Sequence, residues 1–255
     1  LLINGIPAIA EIGVADFLFS SEWGPTDTPA SYGILSMIVG SIYVTGGAIA
    51  IGVPIGILCA IFLAKFCPKP AYKIIKPAVN LLAGIPSIIY GFFGMIVVVP
   101  LVRDTFGGNG YSILTASIIL GIMILPTVIS ISETSIRAVP ESYFEGAIGL
   151  GATKEEAIFK VIVPAAKSGI FTSIILGIGR AVGETMAVVM VAGGAVMPLD
   201  QIGLLKPIRT LTANIVTEMS YSSGLHTEAL IATGVVLFVF IIILNLALGL
   251  LKGRK

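Results

Sequence analysis

Charge is what this sequence has least of. Lys, Arg, Asp and Glu make up 11% of 255 residues, where a soluble domain carries roughly a quarter. Mean hydropathy is +1.05. So few polar side chains cannot cover a globule in water, which leaves the bilayer as solvent. Histidine occurs once, at His226, and cysteine twice, at Cys59 and Cys67. The cysteines have no metal-ligand spacing, so both are expected as buried or interfacial thiols. His226-Thr227-Glu228 has no downstream Pro-Cys-x-x-Cys, which excludes a deaminase-type zinc site, and the lone histidine is expected at the surface. No metal site is expected elsewhere. The chain has no Gly-x-x-x-x-Gly-Lys-Ser/Thr, no Gly-x-Ser-x-Gly and no His-Glu-x-x-His. It therefore lacks a P-loop for ATP and the hydrolase sites those patterns build. No basic face points to nucleic acid, and no cleavable signal peptide is visible.

What is abundant is apolar sequence, 56% of the chain, with 30 glycines and 14 prolines. Membrane helices tolerate both residues because neighbouring helices satisfy the freed backbone groups. Five segments are long enough to cross a bilayer of roughly 30 Å: 37–64, 74–101, 112–132, 169–195 and 229–251. This predicts an all-α, polytopic helical bundle. Pro54, Pro86 and Pro126 fall inside spans and are expected to kink them. Gly52 and Gly56, and again Gly179 and Gly183, are small-xxx-small pairs suited to close helix approach.

Lys and Arg give the orientation. With the loop after the first span inside, the inner regions hold eleven of them: Lys65, Lys69, Lys73, Lys76, Arg137, Lys154, Lys160, Lys167, Lys252, Arg254 and Lys255. The outer regions hold three, Arg103, Lys206 and Arg209, a clear positive-inside bias. Residues 133–168 are then cytoplasmic. The stretch before the first span is acidic, with Glu11, Asp16, Glu22 and Asp27, and offers Phe17, Trp23 and Tyr32 as interfacial aromatics. That stretch and the outer loop 196–228 are candidate contacts for an extracytoplasmic partner.

Residues 145–164 read EGAIGLGATKEEAIFKVIVP. Glu145, Ala147, Gly151 and Pro164 resemble in register the coupling loop of ABC-importer permeases. Gly146 stands where an Ala is usual, and Val161 and Val163 stand for Ile and Leu. The resemblance implies a helix that docks into a groove on a separate ATPase subunit. Two short helices joined at Gly151 are expected, the second opened by Thr153 with Glu156 three residues on. Ala147, Ile148 and Leu150 are either docking surface or packed on the chain's own helices.

The fourth span carries Arg180 and Glu184 four residues apart, a spacing that puts both on one face of a helix. An Arg at mid-span costs roughly 2.5–3.5 kcal/mol on insertion scales, so it faces a cavity or the bundle interior and finds a partner. Two readings stay open. Either the pair is a structural ion pair, or Arg180 offers a planar donor fork to a crossing oxyanion while Glu184 holds the guanidinium and weakens anion binding enough for release.

Three blocks narrow the resemblance: GRAVGETMAVVMV at 179–191, NLLAGIPSIIYGFFG at 80–94, and WGP with SYGILSMIVGS at 23–41. They resemble the C-type permease subunit of phosphate-specific ABC importers over nearly the whole chain, the N-terminal span excepted. The resemblance implies a type I ABC-importer (MetI-like) permease fold in a bacterial or archaeal cell membrane. Residues 1–36 would then be an outer segment following a missing or truncated first span, of which Leu1-Leu2-Ile3 would be the outer end. Residues 37–251 would be the permease domain and 252–255 a cytoplasmic tail. Arg180 and Glu184 would carry the phosphate path. Ser87, Tyr90 and Thr185 would lie near it, their hydroxyls bonding either phosphate or a carbonyl of the bundle. The implied partners are a homologous A-type permease, two ATPase subunits that hold ATP and Mg, an extracytoplasmic phosphate-binding protein, membrane lipid and inorganic phosphate as cargo. This chain itself would bind no cofactor and be no enzyme. The rivals are a permease for molybdate, tungstate or sulfate, and a proton-coupled secondary transporter, which would have no ATPase to dock.

Overall fold

The structure, a computed structural model, describes residues 2–253. Leu1, and Arg254 and Lys255 of the expected tail, lie outside the described residues. Helices α1 (Leu2–Ile12) and α2 (Val14–Phe19) lead into a two-stranded hairpin, β1 (Trp23–Gly24) against β2 (Ser31–Tyr32), with Trp23 opposite Tyr32. Then come α3 (Leu35–Ile61), α4 (Lys69–Gly84), α5 (Ser87–Phe93), α6 (Val99–Phe106) and α7 (Ile113–Arg137). The connector α8 (Glu141–Gly149), α9 (Lys154–Ala157) and α10 (Val163–Ala165) is followed by α11 (Lys167–Gly183), α12 (Met186–Val191), α13 (Leu211–Glu218) and α14 (Leu225–Gly253). Wide π-turns extend α3 over Phe62–Phe66, join α5 to α6 over Gly94–Val98 and follow α9 over Ile158–Ile162.

Four stretches are long and apolar enough to cross a membrane: Leu35–Phe66, Ser87–Phe106, Ile113–Arg137 and Leu225–Ala247. A fifth exists if Lys154–Ala165 and Lys167–Gly183, bent by 67°, count as one. The first, third and fifth expected spans are therefore present with shifted ends. The second is not 74–101. Pro86 holds Ile85 extended (φ −70°, ψ 125°), as a residue before proline must be, so α4 stops at Gly84 and the crossing helix begins at Ser87. The fourth is not one helix over 169–195. It ends at Gly183, where Glu184 turns extended (φ −71°, ψ 134°). Pro54 and Pro126, by contrast, sit within the continuous helices α3 and α7.

α7 is the centre of the bundle. Two thirds of its most apolar window is buried, against about one third for the other three spans. It packs along α3 through small residues. A Cβ on Gly52 would meet the Gly121 carbonyl at 2.6 Å, and one on Gly56 would meet Val128 at 2.7 Å. This is the close approach read from that glycine pair. The pair Gly179 and Gly183 faces open space instead. At one end of α7 the chain segment 204–206 accepts hydrogen bonds from Ile113 and Leu114. At the other, α8 to α10 pack against Ile136 and Val139. Twenty-five residues of helix place these ends about 37 Å apart.

Substituting Gly52 by Val is expected to destabilise the isolated chain by about 1–3 kcal/mol through overpacking against α7. Gly46→Ala, where a Cβ meets nothing within 4 Å, is expected to be neutral or slightly stabilising. Thermal unfolding of the detergent-solubilised variants measures both.

Candidate functional site

The region around Arg180 is built by two helix breaks that face each other. Tyr90, Ala181 and Ala187 share one apolar cluster, so α5, α11 and α12 converge. α5 and α12 touch closely: a Cβ on Gly91 would meet Met190 Sδ at 2.6 Å. Each break frees backbone groups that lipid cannot satisfy, and side chains take them up. The Tyr90 hydroxyl donates to the Leu82 carbonyl at 2.8 Å, the in-bundle alternative read from the sequence. Thr212 donates to the Glu184 carbonyl at 3.0 Å. The Glu184 carboxylate accepts from the Ala187 N–H at 3.2 Å, in the first turn of α12. The Thr185 hydroxyl points back to the Gly183 carbonyl at 3.4 Å.

This geometry corrects the shared helix face expected for Arg180 and Glu184, because α11 ends between them. No ion pair joins the two among the described residues. Arg180 is half-buried, within electrostatic reach of Tyr90, and makes no hydrogen bond or ion pair among the described residues. Ser87 stands at the first position of α5, half-buried, and its hydroxyl has no hydrogen-bond partner among the described residues. The region thus presents a cation and a hydroxyl unspent, beside a tyrosine already bonded.

The connector between α7 and α11 has the expected form. Gly151 takes φ +89°, a conformation that favours glycine, and turns the chain between α8 and α9. Thr153 and Glu156 form the full capping box, both bonds at 3.2 Å. Hydrogen bonds from Lys160 first, then from the Thr153 backbone, hold the Glu156 carboxyl below its usual range. Its stabilising contribution is therefore present above the ordinary carboxyl pKa and lost as pH falls through the lowered one. Glu145 is exposed, Ala147 half-buried and Pro164 exposed. Leu150 is 93% exposed and so is not packed on the chain's own helices, while Ile148, 40% exposed, is partly covered by them. Phe144 is the residue of α8 that turns inward, onto the cluster of Ile136 and Ile158.

Two buried polar clusters were not singled out in the sequence. Near the connector, Glu133, 2% exposed, accepts from Lys76 at 2.8 Å, from Arg137 at 2.8 Å and from Tyr72 at 2.7 Å. Arg137 also donates to the Leu63 carbonyl at 2.6 Å, opened by the π-turn after α3. One carboxylate thus ties α3 and α4 to α7. The signal was present in the i, i+4 spacing of Glu133 and Arg137 at the end of an apolar helix. At the opposite end, Glu218 accepts from Arg209, from the Trp23 indole at 2.8 Å and from His226 at 2.9 Å. His226 is 7% exposed, which overturns the surface position expected of it. Its partner Glu218 lies eight residues away, across the α13–α14 turn, where no short-range pattern shows it. Phe17 is likewise no interfacial aromatic, being fully buried, while Trp23 and Tyr32 stack edge to face at 6.0 Å in the hairpin. Both cysteines are free and half-buried.

Residues 52–255 match the family of the binding-protein-dependent transport system inner membrane component. The chain belongs to this family. It is therefore a multi-pass membrane component of a transport system and not an enzyme. Among its relatives, the probable ABC transporter permease protein YqgH of Bacillus subtilis is 39% identical, the match covering all of this chain and 81% of that one. The phosphate transport system permease protein PstC of Mesorhizobium japonicum is 39% identical over 88% of this chain and 73% of its own. The probable PstC of Methanocaldococcus jannaschii is 32% identical over 95% and 82%. Among solved structures, a bacterial alginate ABC transporter chain overlays with a TM-score of 0.68 over 99% of this chain and 87% of that one, at 16% identity. A MetNI methionine ABC transporter chain overlays at 0.62 over 86% and 93%, at 19% identity. These overlays place the permease in the type I ABC-importer fold.

Removing the Glu133 carboxylate leaves Lys76 and Arg137 without their counter-charge. Glu133→Ala is expected to cost about 3 kcal/mol, the lower end for a broken buried pair, since both cations reach solvent in part (21% and 45% exposed). Thr153→Ala should cost about 1 kcal/mol through the lost cap. Thermal unfolding of the purified permease ranks the two, and an order reversed from this one contradicts the assignment of Glu133 as a structural tie.

Proposed function

We propose that this chain is the C-type permease subunit of an ATP-driven phosphate importer, forming the translocation path with a homologous A-type permease. The observation that carries the reading is Arg180: a half-buried guanidinium at a helix break, with no ion pair or hydrogen bond to its own chain among the described residues. A permanent planar cation left unspent between apolar helices suits an oxyanion that must be gripped by two oxygens and then released. Relatives 32–39% identical to this chain over the matched regions are phosphate transport permeases by name, which supports phosphate over molybdate, tungstate or sulfate. Glu184 is better read here as the cap of α12 and a weak counter-charge than as a clamp on the guanidinium. Ser87, one turn before Tyr90 on α5, offers a hydroxyl with no bond among the described residues, while Tyr90 and Thr185 shape the break.

The cytoplasmic side of the reading rests on α8 and the turn after it. Leu150 and Ile148 expose apolar surface at the tip of a capped helical connector, where a partner protein would cover it. We assign that partner as the ATPase, two copies of which would bind ATP and Mg and dock on the two permeases. Glu145, Ala147, Ile148, Gly151 and Pro164 frame the docking region, and an extracytoplasmic binding protein would deliver phosphate at the opposite end. The membrane is then that of a bacterial or archaeal cell.

Arg180→Gln should assemble with the ATPase and hydrolyse ATP, but import of radiolabelled phosphate into proteoliposomes should fall about 10- to 100-fold, the worth of one charge-assisted bond pair. Arg180→Lys should also be impaired. Phosphate import by Arg180→Gln at the wild-type rate would make the residue structural. Molybdate or sulfate driving faster import than phosphate would reassign the cargo.

Gly151→Val meets no steric obstacle, since a Cβ there finds nothing within 4 Å. It must strain the backbone by about 1–2 kcal/mol, so the tip carrying Leu150 should misdirect. Co-purification of the ATPase should drop while membrane insertion is unchanged, and full ATPase recovery would contradict the docking assignment.

A further inference from the structure

We propose that the cavity beside Arg209 is a second oxyanion site, a way station on the same path as Arg180 and nearer the end of the bundle opposite the connector. It rests on the reading of the chain as an oxyanion permease. The cavity has a volume of about 390 Å³ and is lined by Tyr111, Met190, Gly194, Arg209, Ala213 and Thr217 among others. That volume lies within the range of small-molecule sites, roughly 300–1,000 Å³.

The chemistry of the lining selects an anion. Arg209 is held at two of its three nitrogens: Nε donates to the Gly194 carbonyl at 2.8 Å, and Nη1 to the Asn214 Oδ1 at 3.0 Å and to Glu218. Its Nη2 makes no hydrogen bond among the described residues. Asn214, 0% exposed, stands outside the cavity lining and serves it by fixing the guanidinium through its Oδ1. The Tyr111 hydroxyl is likewise unbonded among the described residues. The side-chain and carbonyl oxygens that hold Arg209 are already taken. Asn214 Oδ1 and the Gly194 carbonyl are held by Arg209, and the two oxygens of Glu218 by Arg209, Trp23 and His226. What Arg209 and Tyr111 leave unspent at the cavity is Nη2 of a guanidinium whose orientation is fixed and one hydroxyl, and a permanent cation beside a hydroxyl suits a tetrahedral oxyanion and not a cation. The carboxylate behind Arg209 keeps such a site weak. A weak site is what a pathway needs, since conduction depends on several sites that bind enough to admit and too little to retain.

The two sites share their elements. α12 has six residues, about 9 Å of helix. Glu184 and Thr185 stand at its start, and Val189, Met190, Gly193 and Gly194, at and just beyond its end, line the cavity. α13 closes the other side. Thr212 bonds the Glu184 carbonyl, and the next residues are Ala213, in the cavity wall, and Asn214. An oxyanion at Arg209 would thus be one short helix from Arg180.

The test uses the whole transporter in proteoliposomes, with inorganic phosphate as probe. Tyr111→Phe removes the free hydroxyl of the lining and keeps the ring. Import should fall about three- to tenfold at saturating binding protein, the worth of one hydrogen bond, with assembly and thermal unfolding unchanged. Occupancy is read separately. With Cys59 and Cys67 replaced by Ser, Thr217→Cys should be labelled by a methanethiosulfonate reagent more slowly in phosphate than in equal chloride. That protection should persist in an Arg180→Gln background and need several-fold more phosphate with Tyr111→Phe. Labelling indifferent to phosphate, or wild-type import by Tyr111→Phe, overturns the site. If the wild type imports phosphate and Arg180→Gln does not, either result removes this proposal alone. If the wild type imports no phosphate, the cargo assignment fails instead, and the same labelling is run with the oxyanion that is imported.

Discussion

The carbonyl of Leu82 shows the constraint on which the rest of this chain depends. In hydrocarbon no water is available to a backbone group released by a helix that stops, so every interruption must be satisfied from within the protein. Two apolar segments are broken, at Gly84–Pro86 just before the crossing helix and at Gly183–Thr185, and each break is mended by side chains. Tyr90 reaches Leu82, Thr212 reaches Glu184, and the Glu184 carboxylate reaches the start of α12. Those bonds fix how α5, α11, α12 and α13 meet. They also decide which polar groups are left over, and Arg180 is left over because α11 ends between it and Glu184.

The remainder of the architecture holds the breaks in place without blocking them. α3 and α7 approach closely through Gly52, Gly56 and Gly121, where small residues substitute for the hydrophobic drive that lipid does not provide. The ends of the bundle are tied by one carboxylate each. Glu133 gathers α3 and α4 onto α7 beside the connector, and Glu218 gathers Trp23, Arg209 and His226 at the far end. Both are buried charges whose worth depends on full satisfaction, and both have it. The connector begins at Glu141, four residues beyond Arg137, so the Glu133 tie stands at its root.

Apolar run lengths, the coupling-type motif from Glu145 to Pro164 and the Gly52/Gly56 pair were legible because they are local. Each is a matter of composition or of spacing within a turn or two of helix. The capping box at Thr153 and the turn at Gly151 were legible for the same reason, since a cap is closed by residues three apart. The breaks were harder. Pro86 was read as a kink in a continuous span, and it became a full stop because Ile85 before it is forced extended and Tyr90 is placed to bond the freed carbonyl.

The sequence by itself determined that this is a bundle of membrane helices, which end carries the capped connector, and that an arginine lies deep in an apolar segment. Hydropathy and short-range hydrogen bonding set all three. Only the tertiary structure decided the partners of the charges. Arg180 and Glu184, four apart, do not pair because the helix ends between them. Glu218 and His226 are brought together across a turn, and Glu133 collects donors from α4, more than fifty residues earlier. Which buried polar groups meet depends on how helices dock, and no single helix carries that information.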